Sequence, residues 1–301
     1  MIMRNGYFFL SLLISLATIV CSARSEQTAK ERLYVSILPL RSIVEQIVGD
    51  DFTIDVLVPP GASPESFEPT PRQYVALNRS KLIFNIGLID FEQNLLRDFP
   101  DSGKLVNLSR GIPLLAGSCS HGHTHAPQAD NDNNAHKGHI HGIDPHIWTS
   151  PRALKQVAAN AYKALHASFP DSIRYTENYQ KLLVRLDSLD KACADALHRA
   201  SARIIVIYHP ALTYYAADYG LRQLAIENDG KEPSVRHLSR LIEEARANQV
   251  RCVFYQAQYP ASTVKVLAED IGAASVKIDP LREDVIENIG DITRKLTAEY
   301  E

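Results

Sequence analysis

From Asp171 to Ala200 the chain contains neither Gly nor Pro. Within it Tyr175, Tyr179, Leu182, Leu186, Leu189, Cys193 and Ala196 fall at alternating steps of four and three, the apolar stripe of a single long helix. Some 27 helical residues reach roughly 40 Å at about 1.5 Å each. Such a helix can serve as a core element and still bridge two neighbouring bodies. A helical bridge resists bending more than extended strands would, so only small motions between the bodies are expected.

The flanks support two bodies. Before the helix, short apolar runs alternate with helical patterns. Strands are predicted at Leu33–Leu38, Phe52–Val58, Leu82–Ile86 and Lys104–Leu108, and helices at Leu40–Val48, Pro71–Asn78 and Phe91–Phe99. After the helix the rhythm restarts. Strands are predicted at Arg203–Tyr208, Leu221–Ile226, Cys252–Tyr255 and Ser275–Ile278, and helices at Leu212–Tyr219, Ser234–Asn248, Ala261–Ile271 and Asp284–Glu299. Strand–helix alternation at this spacing implies parallel βαβ units. The fold class is therefore α/β, with two lobes of parallel sheet joined by one long helix. The expected division is a signal peptide at 1–23, an N-terminal lobe at 30–170, the connecting helix at 171–200 and a C-terminal lobe at 201–301.

The N-terminal segment reads as an export signal. Arg4 precedes an apolar run from Tyr7 to Val20 that is too short to span a bilayer, and small residues at Cys21-Ser22-Ala23 suit cleavage. The expected location is the periplasm or the outer face of the cytoplasmic membrane, and Cys21 is an alternative point of lipid attachment. A net charge of -3 gives no sign of nucleic-acid binding. Beyond Cys21 the chain has Cys119, Cys193 and Cys252, an odd count that does not suggest a disulfide framework. Either Cys193 pairs with Cys252 or all three are buried thiols, with Cys119 an alternative member of the cluster beside it.

That cluster is a run of imidazoles. Seven of the eleven histidines lie between His121 and His146: His121, His123, His125, His136, His139, His141 and His146. Neutral imidazole is the commonest side-chain ligand for zinc and related ions. A polar segment this dense in histidine reads as a metal-collecting loop, spanning 119–143. Solvated filler is the bland alternative, and an expression tag is disfavoured by the internal position. A flexible loop supplies ligands without fixed geometry, so it should bind loosely and with little selectivity.

A tighter site needs residues on fixed elements. Four short segments offer them: Gly61-Ala-Ser-Pro-Glu65-Ser-Phe-Glu68, Asp144-Pro-His146-Ile-Trp148, Tyr208-His209-Pro210 and Ile278-Asp279-Pro280. Two lie in each predicted lobe, near strand ends, where open α/β sheets bind ligands. Glu65, His146, His209 and Asp279 together supply two negative charges and two neutral donors. That set formally neutralises a divalent cation, which lowers the cost of burying it. Four protein ligands close a tetrahedral shell, whereas catalytic zinc keeps a position open. The set favours carriage over catalysis. Taken singly, His209 and Asp279 could be turn residues and Glu65 and Glu68 solvent-exposed; Trp148 reads as packing beside the site.

These segments, with Gly230-Lys-Glu-Pro-Ser234 and Tyr208–Tyr215 leading to Tyr219-Gly220-Leu221, resemble the zinc- and manganese-binding receptors of ABC metal importers. The resemblance runs from about residue 33 to the C-terminus. It implies two α/β lobes joined by a long helix, with metal in the interlobe cleft. It also implies that His146, His209 and Asp279 stand at ligand positions. Glu65 departs from the family, which has His at that place in its Ser-Pro-His motif; the change shifts the set toward oxygen donors. The acidic and His-rich loop resembles that of the zinc receptors and argues for zinc.

The resulting expectation is a non-enzymatic, monomeric, high-affinity zinc receptor. It would deliver the ion to a membrane permease driven by a cytoplasmic ATPase. The alternatives are a manganese or iron receptor, a secreted zinc hydrolase with Glu68 as its base, and a surface adhesion or storage protein. No HExxH spacing or similar catalytic motif supports the hydrolase.

Overall fold

The computed structural model describes residues 30–97, 103–117, 142–200, 203–227, 231–259 and 261–300. The histidines from His121 to His141, Cys119, Cys21 and the N-terminal segment lie outside the described residues. Residues 31–301 form one compact unit built on two four-stranded parallel sheets.

In the first sheet, β1 (Arg32–Val35) leads to α1 (Leu38–Val48), β2 (Thr53–Val56) to α2 (Pro71–Asn78), and β3 (Ile83–Asn85) to α3 (Asp90–Arg97) and then β4 (Leu105–Asn107). The strand order is β2-β1-β3-β4. Pro39 in the first turn of α1 starts that helix two residues earlier than the pattern at Leu40 suggests. Gly87 adopts φ +74° just after β3, where a Cβ would meet the Asn107 side chain at 2.4 Å. The fully buried Glu92 takes the N–H groups of Ile86, Gly87 and Ile89 and fixes that turn.

The strand–helix rhythm assigns no element to residues 151–168. The structure places there an 18-residue helix, α4 (Pro151–Ser168), whose Ser150 side chain accepts the Ala153 N–H. A short turn later α5 (Ile173–Ala200) begins, 28 residues long. It packs against α1 and α4 and also against α9 (Val285–Ala298) at the C-terminus. Its buried stripe is Tyr175, Leu182, Leu186, Leu189, Cys193, Leu197 and Ala200. The expected Ala196 gives way to Leu197. A straight helix turns every 3.6 residues, so a strict 3.5-residue pattern drifts off the buried face within a few turns. Polar bonds pin the helix along its length. Tyr175 Oη donates to Asp51 at 3.0 Å, Asn178 donates to the Ile47 carbonyl at 3.0 Å, and Cys193 Sγ lies 3.1 Å from Thr293 Oγ1.

The second sheet repeats the first. It comprises β5 (Ile204–Ile207), α6 (Thr213–Asp218), β6 (Arg222–Ala225), α7 (Val235–Ala247), β7 (Cys252–Gln256), α8 (Ala261–Ile271) and β8 (Ala274–Ile278), followed by α9. Its strand order is β6-β5-β7-β8. All four residues of β5 are buried, but they serve two cores. Ile205 and Ile207 join the large core shared with α5 and the first sheet, while Ile204 and Val206 join a smaller core under α7 and α8. That is the two-residue period of a strand buried on both faces. The α/β class with two parallel sheets is as expected from the sequence. Cys193 and Cys252 are free buried thiols, so the alternative in which they pair is corrected. Among the described residues no helix is long and apolar enough to cross a membrane.

Candidate metal centre

Three of the four predicted ligands follow a strand in the chain, Glu65 after β2, His209 after β5 and Asp279 after β8, while His146 opens a 3-10 turn ahead of α4. Glu65 lies in the loop after β2, in a 3-10 turn at Pro64–Ser66 whose Ser63 hydroxyl accepts the Glu65 N–H. The loop is closed behind it by Gln73, which shares a capping box with Thr70 and donates to the Leu57 carbonyl at 2.9 Å. His146 precedes a 3-10 turn at Ile147–Thr149, and Thr149 Oγ1 donates to its carbonyl. His209 follows β5 by two residues.

Donor atoms of Glu65, His146 and His209 all lie within 4.8 Å of one another, and this is the metal-competent group among the described residues. His209 Nε2 is 2.8 Å from Glu65 Oε1 and 3.3 Å from His146 Nε2. Ligands about 2.0–2.1 Å from a tetrahedral ion stand roughly 3.3 Å apart, so the two imidazoles are spaced to share one. Asp279 lines the same cavity but is not in the 4.8 Å group. Its Oδ1 accepts the Leu281 N–H at 3.0 Å and its carbonyl accepts from Asn288, the local bonds of a turn before Pro280. Three of the four expected ligands are thus brought together, and the fourth is at the rim. Glu68 is exposed and does not line the cavity.

The outer nitrogen of each imidazole meets a buried carboxylate. His146 Nδ1 is 2.9 Å from Asp144 Oδ1, and His209 Nδ1 is 2.8 Å from Glu227 Oε1. Asp144 is 3% exposed and Glu227 5%. A proton held on Nδ1 leaves Nε2 with its lone pair directed into the cavity, the arrangement usual for metal-binding histidine. The sequence reading gave no role to either carboxylate. Asp144 was legible in principle: it is two residues from His146 and also accepts that residue's N–H at 2.8 Å. Glu227 emerges only from sheet register. β5 and β6 pair Ile207 with Ala225, and two more residues along both strands set Glu227 beside His209.

Aromatic rings wall the cavity. The His146 and Trp148 rings are 5.0 Å apart, and Trp148 is 2% exposed and donates its indole N–H to the Pro280 carbonyl at 3.0 Å. Trp148 is therefore a packing residue that ties the His146 turn to the loop after β8. Tyr259, three residues past β7, stacks on His209 at 5.2 Å and 15° and donates to Glu65 Oε2 at 3.2 Å.

The charges are coupled. Burial disfavours a charged His209, but Glu227 and Glu65 on its two nitrogens outweigh burial and push its pKa up to about 9. Burial works to raise the Glu65 carboxyl, yet the hydrogen bond and charge of His209 bring it below its ordinary value. Asp144 is likewise lowered, the charge of and hydrogen bond to His146 outweighing burial.

Residues 33–296 match the family model described as zinc-uptake complex component A, periplasmic, named ZnuA. The chain belongs to the ZnuA family. A ZnuA crystal structure superposes with a TM-score of 0.78 at 30% identity, covering 90% of this chain and 100% of that one. The high-affinity zinc uptake system protein ZnuA of Bacillus subtilis is 26% identical over 265 residues, 85% of this chain and 81% of the relative. The zinc-binding lipoprotein AdcA of Streptococcus pneumoniae is 26% identical over 286 residues, 93% of this chain but 56% of the relative. The chain thus spans about half the length of the streptococcal relatives it matches. The family resemblance inferred from the motifs, and the two-lobed fold it implies, are as expected.

Proposed function

We propose that this chain is an extracytoplasmic zinc receptor that takes up Zn2+ in the cleft and passes it to the permease of an ABC importer with a cytoplasmic ATPase. The observation that carries the reading is the three-residue cluster with a buried carboxylate behind each imidazole. Glu65, His146 and His209 hold the ion, and Asp279 or a solvent molecule completes the shell. The zinc-related names of the ZnuA and AdcA relatives support the choice of metal. The carboxylates Glu65 and Asp279 are the specific observation favouring manganese or iron as a second reading, because oxygen donors suit those ions better than a third imidazole would. The two sheets are the two lobes, and α5, bonded to elements of both, limits how far they separate. Export to the periplasm or the outer membrane face, with Cys21 the point of any lipid anchor, completes the reading.

Zinc titration tests it. The protein is expected to bind one tight equivalent and further weaker ones. Deleting 119–141 should remove only the weaker ones. The deletion is geometrically mild: the Gly117 N–H donates to the Gly142 carbonyl at 2.8 Å and Ala116 bridges Ile143, so Gly117-Ser118-Gly142 would form a three-residue hairpin loop. Loss of the tight equivalent on deletion would move the principal site to the histidine-rich segment.

The pKa of His209 fixes a pH dependence. Raised to about 9, the metal-free ring carries a proton on Nε2 at neutral pH. Metal needs that lone pair, so binding expels the proton. Apparent affinity should therefore fall about tenfold per pH unit as pH drops below about 9, and level off above it. Calorimetry in buffers of different ionisation enthalpy should find about one proton released per metal at pH 7. Affinity that does not change between about pH 6 and 9 would contradict this.

A further inference from the structure

We infer that Tyr259 determines metal specificity by confining Glu65 to one coordinating oxygen. The inference rests on the cleft reading above and goes beyond its ligand list.

The two oxygens of Glu65 are used differently. Oε1 faces the imidazoles, 2.8 Å from His209 Nε2, while Oε2 accepts the Tyr259 phenol at 3.2 Å. A carboxylate chelates a metal only when both oxygens turn toward it. With one oxygen tied to a phenol, Glu65 offers a single donor. Tyr259 is itself held in place. Its ring lies flat on His209 at 5.2 Å and contacts the Tyr208 ring at 5.1 Å, so the phenol cannot swing away without unstacking. The phenol comes from the loop after β7 in the second sheet and the carboxylate from the loop after β2 in the first. The contact therefore also fixes Glu65 relative to His209 across the cleft.

The consequence follows from coordination preference. Zinc is satisfied by four donors in a tetrahedron. Manganese and other hard cations favour six or more, largely oxygens, and gain from a chelating carboxylate. A carboxylate held to one oxygen keeps the donor count low. Glu65 can thus replace an imidazole as a one-atom ligand without opening the site to six-coordinate ions. Tyr259 is a positioning residue in this account, acting through Glu65 and not on the metal.

Competitive titration of Zn2+ and Mn2+ into the full chain and into Tyr259→Phe tests this. The substitution keeps the stacked ring and removes only the hydroxyl. The preference for zinc over manganese should fall about tenfold, within the range typical of lost outer-shell partners. Co2+ bound to the variant should lose the strong visible absorption of a four-coordinate site. In a Glu65→His background the same Tyr259→Phe change should leave the metal preference unaltered, since no second oxygen remains to be released. An unchanged preference, or equal weakening for both metals, would overturn the inference while leaving the receptor reading standing. Absence of His146- and His209-dependent binding in the unaltered protein would overturn both.

Discussion

A His146→Ala/His209→Ala variant is expected to lose the tight zinc equivalent, with affinity falling by at least about 1000-fold. Removing one outer-shell partner of a metal-binding histidine typically costs 10–100-fold, and this variant removes both imidazoles themselves. Only Glu65 would remain of the 4.8 Å group, with Asp279 at the rim of the cavity. Two carboxylates without imidazole partners compete poorly with water for the ion. The double substitution also removes the imidazole partners of the buried Asp144 and Glu227, so the melting temperature without metal must be followed in parallel. His146→Gln/His209→Gln, which keeps volume and hydrogen-bonding capacity, separates lost ligation from lost folding. Isothermal titration or competition with a chromophoric chelator reads the result. Tight one-to-one binding in both variants would show that the ion is held elsewhere.

The second large effect concerns the fold. Leu186 is fully buried on α5, in the core that runs from the first sheet to the second. Leu186→Ala should destabilise the protein by about 2–5 kcal/mol, through lost transfer energy and the cavity left behind. For a chain of this size that lowers the melting temperature by roughly 5–15 °C. Val184 sits on the same helix but is 65% exposed. Val184→Ala should change stability by no more than about 0.5 kcal/mol. Thermal unfolding followed by circular dichroism tests the pair. Equal effects at the two positions would mean that α5 is not buried as described. An intact melting temperature in Leu186→Ala would contradict a single continuous core.

Much of this architecture was visible in the sequence because buried parallel strands are short continuous apolar runs. Ile204–Ile207 cannot be exposed on either face, and the run announces itself. The α8 helix matches its expected span of Ala261–Ile271 because its buried Val264, Leu267 and Ala268 are spaced three and one apart on one face. The α4 helix was not read because, among the described residues, no strand lies between β4, which ends at Asn107, and the turn at Ile147. The strand–helix rhythm is silent over that interval, although Ser150-Pro151 is a legible helix start.

The site divides along the same line. His146, His209 and Glu65 were legible as chemical types beside prolines and strand ends. What they touch was not. Glu227 lies 18 residues from His209 and reaches it only through the β5–β6 register, and Tyr259 reaches Glu65 across 194 residues of chain. Asp279 was assigned as an equal ligand from its type and place. Its Oδ1 accepts the Leu281 N–H, the turn bond that the alternative reading of Asp279 before Pro280 anticipates, while the residue still lines the cavity. His146 and His209, on fixed elements, each have a buried carboxylate behind the ring.

One zinc ion is expected between Glu65, His146 and His209. Anomalous diffraction at the zinc edge, from crystals of protein loaded with one equivalent, tests it most directly. A single dominant peak is expected in the cleft, about 2.0–2.1 Å from His146 Nε2, His209 Nε2 and one oxygen of Glu65. A dominant peak anywhere else, with the cleft free of zinc, would contradict it.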